Sequence, residues 1–419
     1  LQPVGLVDVI RRLHTDFKLK FTLETLEAII DYSVGVCQGD NMAPVLFLFL
    51  MQAVMESHQL RWDAPDSALG IQPIEFRYMP TAKSVKGQHG RLRLQPDPVK
   101  TKGKSFNFSK SLFADDGALI FGSHADLVAG ASDLHAHFAR FGLLMHAGTR
   151  QADGTLEKSK TEAMYFPVSP NSEHHDLEPF DISALHHIHF TSEFCYLGSF
   201  ISTTNNLCDT HDITVRIRKA TQQVGGLMNF FLNKDVDLFT KKLIFLAFPV
   251  NTVLHGCESW ALKAQHINKL QVFFHRSIRR ILGINMHRVE HDHIKNEHIR
   301  NFFGVADIID EIRLRQFHWL GKLGRQPDSL PTKRLLSAWA PAARRGGAQF
   351  IKLRKTYCDT LESILGEDCM KSGSGNLKEW LSLAQSPAKW KHLEFIFKKT
   401  QREIQMTHGL GALAGPRNR

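Results

Sequence analysis

The sequence predicts an α+β region followed by a mostly helical region. Up to about Asn205, short apolar runs bounded by Gly, Pro and charged residues alternate with stretches of helical period. From His211 the pattern changes to long amphipathic stretches with basic faces, at 213–231, 237–246 and 264–282. These observations favour antiparallel strands packed with helices first, and helices alone afterwards.

A third region follows the helical one. Beyond about Pro327 the chain is rich in Arg, Gly and Pro, which is typical of a linker, and one more helical pattern covers 351–365. We therefore predict three regions, the last of them basic and partly disordered: 1–205, 206–330 and 331–419.

Within the first region, the pattern predicts a helix that turns into a strand over 4–20. Asp40 or Asn41 is a predicted N-cap for an apolar helix with Pro44 in its first turn, and a helix apolar all round is packed on every side. A further helix is predicted at 126–142. Hairpins or strands are predicted at the following ranges: 83–93, 109–123, 158–168 and 194–202.

The composition is that of a soluble globular protein, with 43% hydrophobic and 22% charged residues among 419. The longest apolar runs, 42–55 and 243–254, are too short to span a bilayer, and the second contains Pro249. We expect both to be buried and no membrane partner. Six scattered cysteines without a CxxC pair favour free thiols in a reducing compartment.

The net charge is +10, from 52 Lys and Arg against 42 Asp and Glu. Such an excess favours a polyanionic partner through counterion release. A basic soluble enzyme with no such partner is an equally good interpretation of the charge alone.

Two adjacent carboxylates, Asp115 and Asp116, lie in a predicted turn between two apolar strands. Their mutual repulsion and partial desolvation require compensation, and a divalent cation supplies it. Hard oxygen ligands favour Mg²⁺, and two such ions can hold the oxygens of an in-line phosphoryl transfer. The alternative interpretation is a solvated turn without a ligand.

The residues around this turn carry a family resemblance. Phe113-Ala114-Asp115-Asp116 resembles the aromatic-Ala-Asp-Asp hairpin of reverse transcriptases, and residues 35–44 (GVCQGDNMAP) resemble the second palm motif. The apolar helix that follows is similar to that of non-LTR, LINE-type elements. The resemblance implies a right-hand palm, metal ligation by Asp115 and Asp116, and contacts of Gln38, Gly39, Phe113 and Ala114 with template and nucleotide.

Two further motifs follow in the order of that family. Residues 158–162 (KSKTE) resemble the fourth palm motif, and we assign Lys160 to the leaving group, where a cation stabilises developing charge. Residues 194–199 (FCYLGS) resemble the primer grip, through Tyr196, Leu197 and Gly198. Taken singly, an exposed lysine and a buried aromatic strand are the alternatives.

The resemblance extends to about residue 330. Residues 255–260 (HGCESW), 274–284 and 315–325 are similar to the helical thumb and the segment after it. Basic residues there fit a groove that follows a nucleic-acid backbone, and the alternative is a solvated helix face. The predicted phosphate contacts are Arg216, Arg218, Lys219, Lys241, Lys242, Arg276, Arg279 and Arg280.

The resemblance implies an RNA-directed DNA polymerase with two Mg²⁺ ions, or Mn²⁺, and with an RNA template, a DNA primer and dNTPs as partners. The localisation and oligomeric state are left open; an intracellular protein that acts in the nucleus fits reverse transcription. A catalytically dead, nucleic-acid-binding remnant of a retroelement is the alternative function.

Two departures from the family pattern matter. Its first palm motif, which contributes another metal-binding aspartate, is not found, since Asp8 and Asp16 are in the wrong context. We therefore expect the sequence to begin after that motif and to be inactive by itself. The pair Asp40-Asn41 also departs from the Cys-Pro of many non-LTR enzymes.

A rival metal site is a histidine-rich segment. His287 and His291 share one helical face, with His293 and His298 nearby, which suits Zn²⁺. No cysteine accompanies them, and a polar segment between helices is the preferred interpretation.

Overall fold

A computed structural model describes most of the chain, namely residues 4–15, 17–23, 26–32, 40–64, 69–71, 74–78, 84–86, 92–94, 104–166, 177–203, 209–338, 348–365 and 378–407. The chain divides into two compact units. The first comprises 1–72, 109–146 and 181–186, and the second comprises 73–108, 147–180 and 187–419. None of the described helices is both long and apolar enough to cross a membrane.

Strands lie before residue 203. They are β1 (Phe17–Leu23), β2 (Leu26–Tyr32), β3 (Glu75–Tyr78), β4 (Ser84–Lys86), β5 (Leu92–Leu94), β6 (Lys104–Asn107), β7 (Lys110–Phe113), β8 (Asp116–Leu119), β9 (Gly148–Thr149), β10 (Glu162–Ala163), β11 (Phe180–Asp181), β12 (His186–Phe190), β13 (Glu193–Tyr196) and β14 (Ser199–Ser202).

Three of the described helices lie before residue 203, and the others follow residue 209. They are α1 (Val4–His14), α2 (Ala43–Trp62), α3 (His124–Arg140), α4 (Thr210–Gly226), α5 (Met228–Leu232), α6 (Leu238–Phe245), α7 (Asn251–Leu254), α8 (Ala264–Leu282), α9 (Met286–His291), α10 (Asn296–Phe303), α11 (Ile308–Arg325), α12 (Pro331–Ser337), α13 (Ala348–Leu365), α14 (Lys378–Ala384) and α15 (Pro387–Thr407). The predicted order, α+β and then helical, is confirmed for the described residues.

The strands form small sheets. Two-stranded antiparallel pairs join β1 to β2, β3 to β6, β4 to β5, β7 to β8 and β13 to β14. A four-stranded sheet has β12 as its central strand, and β10 pairs with it in parallel. The predicted hairpin over 83–93 is confirmed as β4 and β5, whereas the single antiparallel palm sheet stays a prediction.

Helix α2 has Pro44 in its first turn as predicted, but neither Asp40 nor Asn41 is its N-cap, and its packing also differs from the prediction. The N-cap is Met42, whose N–H donates to Asp40 Oδ1 at 2.9 Å. Met51, Val54 and Met55 are buried, while apolar side chains on other faces are exposed, namely Val45, Leu48, Phe49 and Leu50. The prediction that this helix is packed on every side is therefore wrong for the described residues.

The second predicted core run, 243–254, changes helix type along its length. A π-helical turn at Leu246–Val250 contains Pro249, whose missing N–H removes one α-helical hydrogen bond. Val253 and Leu254 are buried in the helical core, whereas Leu243 and Phe248 are exposed. The run was predicted to be a buried core element, and it is buried only in part.

The last helices pack on α11 instead of forming a separate region. Phe317 stacks on Trp390 with 4.0 Å between ring centroids and 6° between planes, and the Trp390 indole N–H donates to the Phe317 carbonyl at 3.1 Å. A Cβ at Gly321 would lie 2.4 Å from Trp390 Nε1, so only glycine allows this approach. The predicted boundary near residue 330 is not reproduced, and the one near Asn205 lies outside the described residues.

Candidate active site and nucleic-acid interface

The hairpin of β7 and β8 carries the predicted catalytic residues. Phe113 pairs with Asp116 across the strands, which leaves Ala114 and Asp115 as a two-residue turn. Ala114 has φ 53°, a left-handed conformation that is uncommon for residues other than glycine. The predicted order of strand, carboxylate turn and strand is therefore confirmed.

The hairpin is attached to α2 within the first unit. Lys110, in β7, extends its ammonium to the Met55 carbonyl at 3.4 Å, and burial lowers the pKa of this lysine. Sequence reasoning missed Lys110, although an ionisable residue at the start of an otherwise apolar strand is a visible signal. This contact links the start of the hairpin to α2, the helix that follows the Gln-Gly motif.

Asp115 and Asp116 are both exposed, and Phe113 is 64% exposed. The expected partial desolvation of the carboxylates is therefore not found, because no described element covers the turn. Their oxygens are of the kind that Mg²⁺ prefers. Within the described parts of the chain, no group of three or more His, Cys, Asp or Glu side chains is arranged to hold a metal ion. Asp115 and Asp116 thus fit part of a metal site.

The other predicted palm residues are less completely placed. Gln38 and Gly39 lie outside the described residues. Lys160 is exposed in the second unit, just before β10. Within the described part of the predicted strand, 158–166, strand structure covers Glu162–Ala163. The Ser159 hydroxyl donates to the Thr161 carbonyl at 2.5 Å, which bends the chain at Lys160.

A second hairpin, β13 and β14, carries the predicted primer-grip residues. Tyr196 pairs with Ser199, so Leu197 and Gly198 form the turn, with φ of 49° and 79°. Two successive positive φ angles define the type I′ turn that suits a twisted antiparallel hairpin. The predicted hairpin is confirmed.

This second turn is held by the segment HGCESW. His255 Nε2 lies 3.3 Å from the Leu197 carbonyl, and Gly256 approaches Ser199 so closely that a Cβ would lie 2.8 Å from its hydroxyl. Gly256 also has φ 74°. The close approach to Ser199 and the left-handed backbone therefore both favour glycine at this position. Two segments that sequence reasoning treated as separate motifs therefore meet in the structure.

Arg216 and Asp212 form a buried ion pair behind the same turn. The Arg216 Nε–H donates to both Asp212 oxygens at 2.9 Å, and its Nη2 donates to the Gly198 carbonyl at 2.6 Å. Asp212 also accepts the Trp260 indole N–H and the Phe200 amide, each at 3.0 Å. The assignment of Arg216 to a phosphate-contacting surface is therefore wrong, since its guanidinium is buried and bonded within the protein.

The remaining predicted phosphate contacts differ in exposure. Lys241, Lys242 and Arg279 are partly buried, whereas the others are exposed, namely Arg218, Lys219, Arg276 and Arg280. Lys242 lies over the Phe239 ring at 4.9 Å, and Arg279 donates to Asn296 Oδ1 at 3.0 Å. Burial and the neighbouring Arg276 lower the pKa of Arg279.

One face of α8 presents a row of cations. Lys269, Arg276 and Arg280 are exposed and recur at helical spacing, while the opposite face packs Leu270, Phe274 and other side chains into the core. Lys269 was missed by sequence reasoning, although its spacing of seven residues from Arg276 was visible. The predicted basic groove is therefore assigned to this face of α8, with Lys269, Arg276 and Arg280 as its cations.

The histidine-rich segment forms the exposed helix α9. The rings of His287 and His291 are stacked, with 6.1 Å between centroids, and His291 Nδ1 lies 2.8 Å from Asp292 Oδ1. No third ligand joins them among the described residues. The arrangement favours the interpretation as a polar segment between helices.

Comparison with known proteins shows a similarity over part of the chain. The chain is 24% identical over 203 residues to a transposon-derived, uncharacterised protein of Caenorhabditis elegans, a match that covers 47% of this chain and 68% of the relative. No protein-family model and no solved structure matches the chain.

Proposed function

We propose that the chain is the polymerase part of a LINE-type retroelement protein and contributes to RNA-directed DNA synthesis. The carrying observation is the β7–β8 hairpin, with Asp115 and Asp116 exposed at a two-residue turn after Phe113 and Ala114. The similarity to a transposon-derived protein supports the retroelement part of the proposal.

Each residue has a stated role in this proposal. Asp115 and Asp116 would hold Mg²⁺, which when bound neutralises charge on the transferred phosphoryl group. Lys160 would stabilise charge on the leaving group. The turn of Tyr196, Leu197 and Gly198 would position the primer end, because Arg216 and His255 fix its backbone. Positioning and electrostatics supply most of phosphoryl-transfer catalysis.

A nucleotide-addition assay tests the proposal. The protein would be the longest natural chain that includes residues 1–419, with an RNA template, a DNA primer, dNTPs and Mg²⁺. Asp115→Asn keeps the shape and removes the charge that a metal needs, so we expect addition to fall at least a hundredfold with template affinity unchanged. Asp235→Asn, at an exposed carboxylate in the turn between α5 and α6, is the matched control.

The second candidate function is a catalytically dead, nucleic-acid-binding remnant, and the cation row on α8 favours binding in either case. The same assay separates the two functions. Template binding by the parent without any addition supports the remnant. Addition that survives Asp115→Asn within a few-fold overturns the assignment of the hairpin.

A further inference from the structure

The last long helix, α15, has two chemically different faces. Its inner face packs Trp390 and Phe397, which are 2% and 7% exposed, against the rest of the second unit. The acidic residue Glu394 also turns inward, where its carboxylate lies 3.1 Å from His318 Nδ1. The inner face is thus fully used by packing.

The outer face of α15 is basic, with an aromatic side chain in its middle. Lys391 and Lys398 are exposed two helical turns apart, a separation of roughly 10 Å along the axis. Phe395 lies between them at 61% exposure, and Lys399 is exposed beside it. Glu311 of α11 faces Lys398 and offsets part of its charge, which leaves a cationic face.

We propose that this outer face of α15, defined by Lys391, Phe395, Lys398 and Lys399, binds single-stranded nucleic acid. Lysines beside an exposed aromatic ring combine phosphate attraction with a platform on which an unpaired base can stack. In a duplex the bases are already stacked, so Phe395 discriminates for single strands. The proposal goes beyond the proposed function, because α15 contains none of the residues assigned to synthesis.

An anionic membrane surface is a less suitable partner. A helix that lies in a membrane interface needs a broad apolar face to insert. Here the apolar face of α15 is buried against the protein, and Phe395 and Ile396 are the large apolar side chains it exposes among residues 387–400. The exposed chemistry is mainly cationic, which favours a flexible polyanion.

Binding of labelled oligonucleotides to the full chain, followed by fluorescence anisotropy, tests this surface. We expect Phe395→Ala to weaken binding of an unpaired 20-mer roughly fivefold or more, in line with the loss of one stacked base. A duplex of equal length should bind as before, and Phe395→Trp should restore single-strand affinity. Ile396→Ala, at a neighbouring side chain with 45% exposure, is the matched control.

Charge reversal supplies a second arm. Lys391→Glu with Lys398→Glu should weaken single-strand binding and flatten its salt dependence, each lost phosphate contact removing about 0.7 from the log–log slope. Lys104→Glu with Lys234→Glu changes the net charge equally at exposed sites elsewhere and should have a smaller effect. Unchanged thermal unfolding of every variant shows that the fold is intact.

Three outcomes overturn the proposal. Parental affinity of Phe395→Ala for the single strand removes the stacking role. Equal weakening of single-strand and duplex binding makes Phe395 structural. Binding of the parent to phosphatidylserine vesicles that Phe395→Ala abolishes, with oligonucleotide binding unchanged, assigns the surface to a membrane. All of these experiments measure binding, so a failure of the nucleotide-addition assay would not change the conclusion about α15.

Discussion

Arg216 donates to the carbonyl of Gly198 at 2.6 Å and so connects helix α4 to the turn between β13 and β14. The same guanidinium pairs with Asp212, whose side chain is equally buried. Since Asp212 also binds Trp260 and Phe200, one ion pair joins the hairpin, α4 and the segment HGCESW. The primer-grip turn is thereby fixed to the helical part of the second unit.

Arg216→Ala should destabilise the second unit by about 3–5 kcal/mol, because it leaves Asp212 charged and buried without its partner. Urea unfolding measures the change. Arg218→Ala, two residues along the same helix and exposed, is the control and should change the free energy of unfolding by less than about 0.5 kcal/mol. Equal stability of the two variants would contradict the role of the ion pair.

The Arg216 assignment shows what the sequence could and could not provide. Helical period correctly predicted a helix at α4, although the single helix predicted over 213–231 is divided into α4 and α5. The Tyr196-Leu197-Gly198-Ser199 pattern correctly predicted a hairpin. Arg216 and Arg218 are equally basic in sequence, and only tertiary packing makes one of them a buried partner of Asp212. Burial of charge depends on contacts between distant segments, here residues 198 and 216, which local patterns do not contain.

The same limit applies to the candidate active site. Local turn chemistry predicted the β7–β8 hairpin, whereas the exposure of Asp115 and Asp116 depends on what packs over the turn. Helix α2 illustrates the point from the other side, since its sequence is apolar all round but Val45 and Phe49 are exposed. The sequence allowed the α2 helix to be predicted, but it did not show how many faces of the helix pack against other elements.

Helix α8 should lose stability in acid through His266. Its Nδ1 accepts a hydrogen bond from the Lys263 backbone N–H at 3.3 Å, so the neutral ring carries its proton on Nε2. Nε2 lies 2.7 Å from the Thr210 hydroxyl. Burial, with Lys263 and Lys269, lowers the pKa of His266 from 6.5 to about 4. The folded state therefore disfavours the charged ring that the unfolded chain adopts below pH 6.5.

The neutral His266 ring makes its full contribution to the free energy of unfolding above about pH 6.5, and this contribution is lost as the pH falls towards 4. We expect His266→Gln, which can form the same N-terminal bonds without titrating, to reduce the pH dependence by about 1–2 kcal/mol across this window. Urea unfolding of parent and variant at pH 7.5 and 4.5 gives the difference. Other buried histidines such as His58 also titrate, so an identical pH dependence in both proteins would refute the role of His266 alone.

Gly321→Ala should destabilise the packing of α15 on α11. The new methyl group would lie within 3 Å of the Trp390 indole, and overpacking of this kind costs roughly 1–3 kcal/mol. Gly225→Ala in α4 is the matched control, because its Cβ meets open space and alanine favours a helix. Thermal unfolding should therefore move in opposite directions, and a stabilised Gly321→Ala variant would mean that Trp390 readily moves away.

The cation row on α8 yields the last prediction, which concerns primer–template binding. If Lys269, Arg276 and Arg280 follow a nucleic-acid backbone, the chain should bind an RNA–DNA hybrid without sequence preference and with a steep salt dependence. Arg276→Glu with Arg280→Glu removes two outward cations and leaves the Arg279 bond to Asn296 in place. We expect the log–log salt slope to fall by roughly 1.4–1.8 and the affinity to fall equally for unrelated sequences.

Fluorescence anisotropy measured from about 50 to about 200 mM salt gives both the salt slope and the affinity. Binding that is dominated by phosphate contacts changes strongly over this range. Lys104→Glu with Lys234→Glu is the control for net charge, at exposed sites outside α8. A flat salt dependence of the parent would mean that the row only solvates the helix. Equal effects of the two double variants would assign the binding to overall charge, since only a specific contact surface makes reversal on α8 more damaging than reversal elsewhere.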